Sequence, residues 1–338
     1  MVRRSLLCTV LALVAGVTLS AQQKKILVTG LGPEKVKELQ AVAPEARIVR
    51  VSGDELLREA ADADAIIGTV NPELVRVGKK LKWVQIGSAG VERYLHLSEP
   101  DLRDSDITLT NGKIIQGPEI ADHAFGLLLA LTRDLHRHIP NRTRQEWDRK
   151  PWTPIELRGK TAVIIGVGGI GTQIAVRAKA FGMNVIGVDP KDIPLAPFLD
   201  KLVPPDRLDI VLPQADVVFV AAPRTPQSEG MMGPRQFELM KKDSYFIAVS
   251  RGKLYDTDAL VKALDSKRLA GAGLDVTDPE PLPKGHPLWE FENVVITPHI
   301  AGRSDKIEER RMELFKENLR RFVAGEPLLN LVDKQKGY

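Results

Sequence analysis

Thr161-Ala162-Val163-Ile164-Ile165-Gly166-Val167-Gly168-Gly169-Ile170-Gly171 decides the fold: an apolar, β-rich run enters a G-x-G-x-x-G turn, and Ile170 to Phe181 then follow at helical spacing. Each glycine has its own task. Gly166 permits the tight turn, Gly168 lets backbone approach a pyrophosphate, and Gly171 lets helix and strand pack closely. The phosphates would meet the free N–H groups and positive end of a helix that starts near Gly169. Asp189 ends the next strand, Asn184 to Val188, at about the 20-residue offset where a carboxylate binds the ribose 2′-OH and repels a 2′-phosphate. The segment therefore reads as a dinucleotide site favouring NAD over NADP. These residues alone also admit a flavin or another nucleotide.

Outward from this motif the rhythm continues. Strands are predicted at Val217 to Val220, Tyr245 to Val249, near Leu274 and at Val294 to Thr297, completing a doubly wound sheet. Upstream, Ile26 to Thr29, Ile48 to Val51, Ala65 to Thr69 and Trp83 to Ile86 alternate with helix-like intervals, the βαβ pattern of a second parallel sheet. Gly68, Asn71 and Pro72 punctuate it, with Pro72 suited to a first helical turn. Ile120 to Leu135, after Gly117 and Pro118, reads as one long buried helix crossing between the halves. Ser304 to Phe322 is a charged amphipathic helix closed by Gly325 and Pro327, expected to pack back on the first half.

A chain of 338 residues is too long for one compact core. The expected fold is α/β with two doubly wound parallel-sheet domains separated by a cleft. Residues 119–302 would form a Rossmann NAD-binding domain, and residues 22–118 with 303–338 a flavodoxin-like substrate domain.

Lysine and arginine number 48 against 44 aspartates and glutamates, a net charge of +4 without the clustered basic and aromatic residues of a nucleic-acid surface. The densest basic stretch, Arg142, Arg144, Arg149 and Lys150, follows a predicted helix end, where cations suit the last carbonyls. Residues 1–21 read differently. Arg3 and Arg4, an apolar run from Leu6 to Val17 and the small Thr18, Ser20 and Ala21 have the layout of a cleavable export signal, with a mature terminus near Gln22. The pair Arg3 and Arg4 before Leu6 and Leu7 also fits the twin-arginine pattern. The expected location is outside the cytoplasm, in the periplasm, without stable membrane insertion after signal removal. The single cysteine, Cys8, lies in the signal, so no disulfide, thiolate ligand or metal site is expected in the mature protein.

Three later segments follow strands of the second half: Val249-Ser250-Arg251-Gly252, Asp275-Val276-Thr277-Asp278-Pro279-Glu280-Pro281 and Thr297-Pro298-His299-Ile300-Ala301-Gly302. In a doubly wound sheet ligands bind outside such carboxyl ends, so an arginine, a carboxylate and a histidine would converge beside a nicotinamide. In this order after the glycine motif, they resemble the D-isomer-specific 2-hydroxyacid dehydrogenase family. Ser250-Arg251-Gly252, Pro279-Glu280-Pro281 and Thr297-Pro298-His299 carry the resemblance, with support from Trp147, Gly159-Lys160-Thr161 and Pro287-Leu288-Trp289.

The chemistry is intelligible from the residue types. A guanidinium pairs bidentately with a carboxylate, so Arg251 would hold the substrate carboxylate and polarise the adjacent carbonyl. His299 would give a proton to the carbonyl oxygen as hydride arrives at carbon, or remove it in reverse. Glu280 would bond the other ring nitrogen and favour the imidazolium.

The resemblance further implies that the loop Ser88-Ala89-Gly90-Val91 shares the substrate carboxylate through its backbone N–H groups. It implies cofactor contacts from Gly166, Gly168, Gly169, Ile170, Gly171, Asp189, Ala222, Pro223, Val249, Ser250, Arg251, Asp275 and Gly302, and a homodimer formed through the cofactor domains. Gly169 stands where many members carry arginine, and Glu92 where aspartate is common. Glu280 argues against formate as substrate, since the formate dehydrogenases look like they use glutamine there. The implied reaction is hydride transfer between NAD(H) and a small 2-oxo/2-hydroxy acid. An NAD-responsive interaction protein, as in the corepressor branch, is the alternative.

Overall fold

The computed structural model describes residues 23–95, 102–149, 154–193 and 197–338. The expected export signal, Cys8 and Lys150 fall outside them. The first sheet comprises β1 (Lys25–Val28), β2 (Arg47–Arg50), β3 (Ala65–Ile67), β4 (Trp83–Gln85) and β5 (Thr108–Thr110), in the order β2-β1-β3-β4-β5 and parallel throughout. Helices α1 (Pro33–Val42), α2 (Asp54–Ala60), α3 (Pro72–Val77) and α4 (Glu92–Leu95) alternate with its strands. Ile26, Leu27, Val28, Ala65, Ile66 and Ile67 are all fully buried. That is why these strands read as continuous apolar runs rather than alternating ones: a parallel sheet is covered on both faces. Asn71 caps α3 by accepting from Leu74 N at 2.9 Å, with Pro72 in the first turn as predicted.

The crossover to the second sheet is made by α5 (Gly117–Thr132) and α6 (Leu135–Arg144). The sequence suggested one helix from Ile120 to Leu135. Instead Pro118 occupies the first turn, and Asp134 takes a left-handed φ of 57° that separates the two helices. Arg142 and Arg144 consequently belong to the last turn of α6 rather than following it.

The second sheet has the order β12-β11-β10-β9-β6-β7-β8, again parallel, from β6 (Thr161–Ile165), β7 (Asn184–Val188), β8 (Lys201–Val203), β9 (Val217–Val220), β10 (Ser244–Ala248), β11 (Leu269–Leu274) and β12 (Val294–Ile296). Its helices are α7 (Gly169–Ala180), α8 (Leu208–Val211), α9 (Pro234–Leu239) and α10 (Thr257–Asp265). The order around β6 is that of a Rossmann sheet, whereas the first sheet has the flavodoxin-like order. Strands β5 and β8 have three residues each at sheet edges, too short for a sequence pattern to reveal.

Glycine lets α5 lie close on the second sheet: a side-chain carbon at Gly273 of β11 would come within 2.8 Å of Leu127 Cβ. The ring of Phe181 stacks on that of Phe125 of α5 at 5.1 Å. The last helix, α11 (Ile307–Ala324), returns to the first sheet as expected, where Met312, Phe315 and Leu319 share a core with Ile26, Val28 and Trp83. Lys35 and Glu308 pair at 2.9 Å along this contact. Among the described residues no helix is long and apolar enough to cross a membrane.

Candidate active site

The glycine turn after β6 has the geometry its spacing implies. Gly166 has φ 90°, and a side-chain carbon there would lie 2.5 Å from both the nitrogen and Cα of Ala222, so both backbone and space demand glycine. A side chain at Gly171 would collide with the Gly166 carbonyl. Gly168 is different, with nothing within 4 Å of its would-be side chain, and α7 starts beside it without a side-chain cap. An open backbone at a helix start, presenting uncapped N–H groups, fits a dinucleotide pyrophosphate.

Asp189 lies at the end of β7, where its carboxylate accepts from Val167 N at 2.8 Å and Lys191 N at 2.9 Å. These bonds hold it beside the glycine turn. Ala222 and Pro223 follow β9, and Val249 and Ser250 follow β10, with Ser250 Oγ donating to Val220 O at 3.2 Å. Gly169 has a physical reason to differ from arginine: a side-chain carbon would stand 2.5 Å from Ile114 Cα. Ile114 itself has φ 79°, a rare conformation for a β-branched residue. Gly302 lies under Gln116, whose Nε2 donates to the Gly302 carbonyl at 3.4 Å.

The loop Ser88 to Val91 follows β4 and faces Arg251 directly, since a side-chain carbon on Gly90 would collide with Arg251 Nη2. The carbonyls of Ser88, Ala89 and Gly90 accept from Gly112 N at 2.8 Å, Asn111 Nδ2 at 2.6 Å and Ser88 Oγ at 2.9 Å. Because carbonyl and N–H point oppositely across each peptide, this turns the N–H groups of Ala89, Gly90 and Val91 the other way. Arg251 Nη1 donates to Ser250 O at 2.6 Å, and Arg251 Nε donates to Glu92 Oε1. Burial pushes the Glu92 carboxyl up, but the charge and hydrogen bond of Arg251 outweigh it and hold it below the usual carboxylate range.

The three motif loops of the second sheet touch one another. Gly252 packs on the Thr277–Asp278 peptide so closely that any side chain would collide with the Thr277 carbonyl, which locks the Arg251 loop to the Glu280 loop. The Glu280 loop has cis peptides at Asp278–Pro279 and Glu280–Pro281. His299 Nδ1 is 2.9 Å from Glu280 Oε2, while Glu280 Oε1 accepts from Thr277 N at 3.2 Å. The two side chains stay 43% and 41% exposed, so the pair is formed yet open to a ligand. Asp275, predicted as a cofactor contact, is buried and accepts from Ile300 N, Ala301 N and Thr297 Oγ1 at 3.0, 2.9 and 2.6 Å.

Sequence reasoning paired Arg251 with a ligand and missed Glu92 as its internal partner, although Glu92 had already stood out as a departure. It also missed Asn111, Gln116 and His123, polar residues with no motif of their own, and gave no role to Thr297, which it named only within the Thr297-Pro298-His299 motif. Trp147 is 85% exposed and joins none of these contacts.

Residues 125–301 match the family model for the D-isomer specific 2-hydroxyacid dehydrogenase, NAD binding domain. The chain is 33% identical over 332 residues to glyoxylate reductase of Thermofilum pendens, an alignment covering 92% of this chain and 95% of that one. It is 32% identical over 317 residues to D-3-phosphoglycerate dehydrogenase of Methanocaldococcus jannaschii, with 91% of this chain but only 59% of that longer protein covered. A solved structure of NADPH-dependent glyoxylate/hydroxypyruvate reductase from Sinorhizobium meliloti, in complex with NADP and sulfate, has a TM-score of 0.78 at 25% identity, covering 94% of this chain and 100% of that one. The chain belongs to the D-isomer specific 2-hydroxyacid dehydrogenase family. It is accordingly an oxidoreductase of the class that uses a nicotinamide nucleotide.

Proposed function

We propose that this protein reduces a small 2-oxo acid to its D-2-hydroxy acid, or runs the reverse reaction, using NAD in preference to NADP. The observation that carries the reading is the meeting of Arg251, facing the Ser88 to Val91 loop, with a formed His299–Glu280 pair on the adjoining loops. Gly166 to Gly171 would hold the dinucleotide, whose nicotinamide would supply or accept the hydride. Arg251 and the N–H groups of Ala89, Gly90 and Val91 hold the substrate carboxylate and orient the carbonyl. His299 transfers the proton at the carbonyl oxygen, and Glu280 fixes the ring through Nδ1, leaving Nε2 for the substrate. Asp189 supports NAD, because a carboxylate at the end of β7 disfavours a 2′-phosphate.

Residues 22–118 with 303–338 form the substrate domain in this reading, and residues 119–302 the cofactor domain. Residues 1–21 direct export to the periplasm. Two copies associate through the cofactor domains, and exposed Leu135, Ile139 and Trp147 on and after α6 supply an apolar surface for that contact. NADH oxidation followed by absorbance against a panel of 2-oxo acids tests the activity. Turnover of glyoxylate or hydroxypyruvate is expected, and no turnover of any member would refute it.

A further inference from the structure

Thr297 of the His299 loop stands between two side chains from other elements. Its Oγ1 is 2.6 Å from Asp275 Oδ1 and 2.8 Å from His123 Nε2, and His123 belongs to the crossover helix α5. A carboxylate only accepts, so the single hydroxyl proton goes to Asp275 and the same oxygen accepts from the Nε2–H tautomer of His123, whose Nε2 also stands 3.5 Å from Asp275 Oδ1. The direction of the chain is thereby set: His123 to Thr297 to Asp275.

The Asp275 carboxylate is the clasp of the segment 297–301. Oδ1 also accepts from Ile300 N at 3.0 Å, Oδ2 accepts from Ala301 N at 2.9 Å, and the backbone carbonyl of Asp275 accepts from His299 N at 2.9 Å. Between these anchors His299 is held at φ 52°, in the left-handed region, which aims its ring at Glu280. Asp275 is 1% exposed, so its charge depends on these donors for compensation.

We infer that Thr297 and His123 are positioning residues for the reaction, acting through Asp275 to hold His299 in its proton-transfer orientation. The arrangement ties the helix that crosses between the domains to the loop bearing the acid/base. It spends most of the Asp275 carboxylate inside the protein. This inference rests on the reading of His299 as the acid/base.

Four single variants and one double variant test it. Thr297→Val keeps the shape and removes both hydrogen bonds, so kcat for 2-oxo acid reduction should fall ~10²-fold, as misplacement of a reacting group does, with substrate KM and NADH Kd near wild type. Thr297→Ser restores the hydroxyl and should recover most of kcat. His123→Leu removes the outer donor and should lower kcat by a smaller factor with the same split. In a His299→Ala background Thr297→Val should cost nothing further, since the residue it positions is gone. An unchanged kcat in Thr297→Val, no recovery by serine, or a full additional loss in the His299→Ala background would overturn the inference. Full activity of His299→Ala would instead refute the acid/base reading. If the wild type turns over no 2-oxo acid, amide hydrogen exchange still decides: Ile300 and Ala301 should exchange faster in Thr297→Val than in wild type or Thr297→Ser, and equal rates would overturn the clasp.

Discussion

Glu92, at the start of α4 in the first half of the chain, forms an ion pair with Arg251, which follows β10 in the second half. The pair bridges the two halves of the chain at the point where the substrate carboxylate is proposed to sit. It uses Arg251 Nε while Nη1 donates to Ser250 O, so Glu92 sets the orientation of the guanidinium and leaves Nη2 facing Gly90.

That relationship has a pH signature. The Glu92 carboxyl is held below its ordinary value of 4.5, so the pair contributes its full stability above about that pH and loses it as pH falls through the lower folded-state value. Glu92→Gln should cost about 1–3 kcal/mol at neutral pH, and the gap from wild type should close in acid. Urea unfolding at a series of pH values measures it. A gap that persists undiminished in acid would contradict the assignment.

Gly252 should tolerate nothing larger. Gly252→Ala forces a carbon into the Thr277–Asp278 peptide and displaces the Glu280 loop, so turnover should drop ~10²-fold even though the residue carries no chemistry. Steady-state kinetics together with near-UV circular dichroism would show it. Wild-type turnover in this variant would mean that the Glu280 loop moves freely.

Cofactor choice should follow Asp189. Asp189→Ala removes the proposed ribose acceptor and the charge that repels a 2′-phosphate, so NADH use should weaken and discrimination against NADPH should relax. Specificity constants for the two cofactors decide the matter. An unaltered preference would mean that Asp189 serves only the N–H groups of Val167 and Lys191.

Location has its own test. Expressed with residues 1–21, the protein should be found outside the cytoplasm with a new terminus near Gln22, and replacing Arg3 and Arg4 by lysine should block export if the twin-arginine route is used. N-terminal sequencing of fractionated protein reads both. Full-length protein in the cytoplasm would contradict the export reading.

The residues legible in the sequence were those with a motif or a period. Gly166 and Gly171 announce the turn because a left-handed φ at the first and close packing at the second demand glycine, Gly168 is marked by its place between them, and the buried strands announce themselves as apolar runs. Arg251, Glu280 and His299 were legible because their chemistry is rare and each follows a strand. Glu92, Asn111 and Thr297 act through partners 159, 22 and 22 residues away, and nothing local marks such a pairing. The break at Asp134 was hidden for a related reason: one residue in a left-handed conformation ends a helix without a glycine or proline to signal it.

The most direct test of the account is the His299→Ala variant assayed for both turnover and NADH binding. If His299 transfers the proton, 2-oxo acid reduction should fall by ~10²–10⁴-fold while the NADH Kd, read from nucleotide fluorescence, stays near wild type. Retention of wild-type turnover in this variant would contradict the account at its centre.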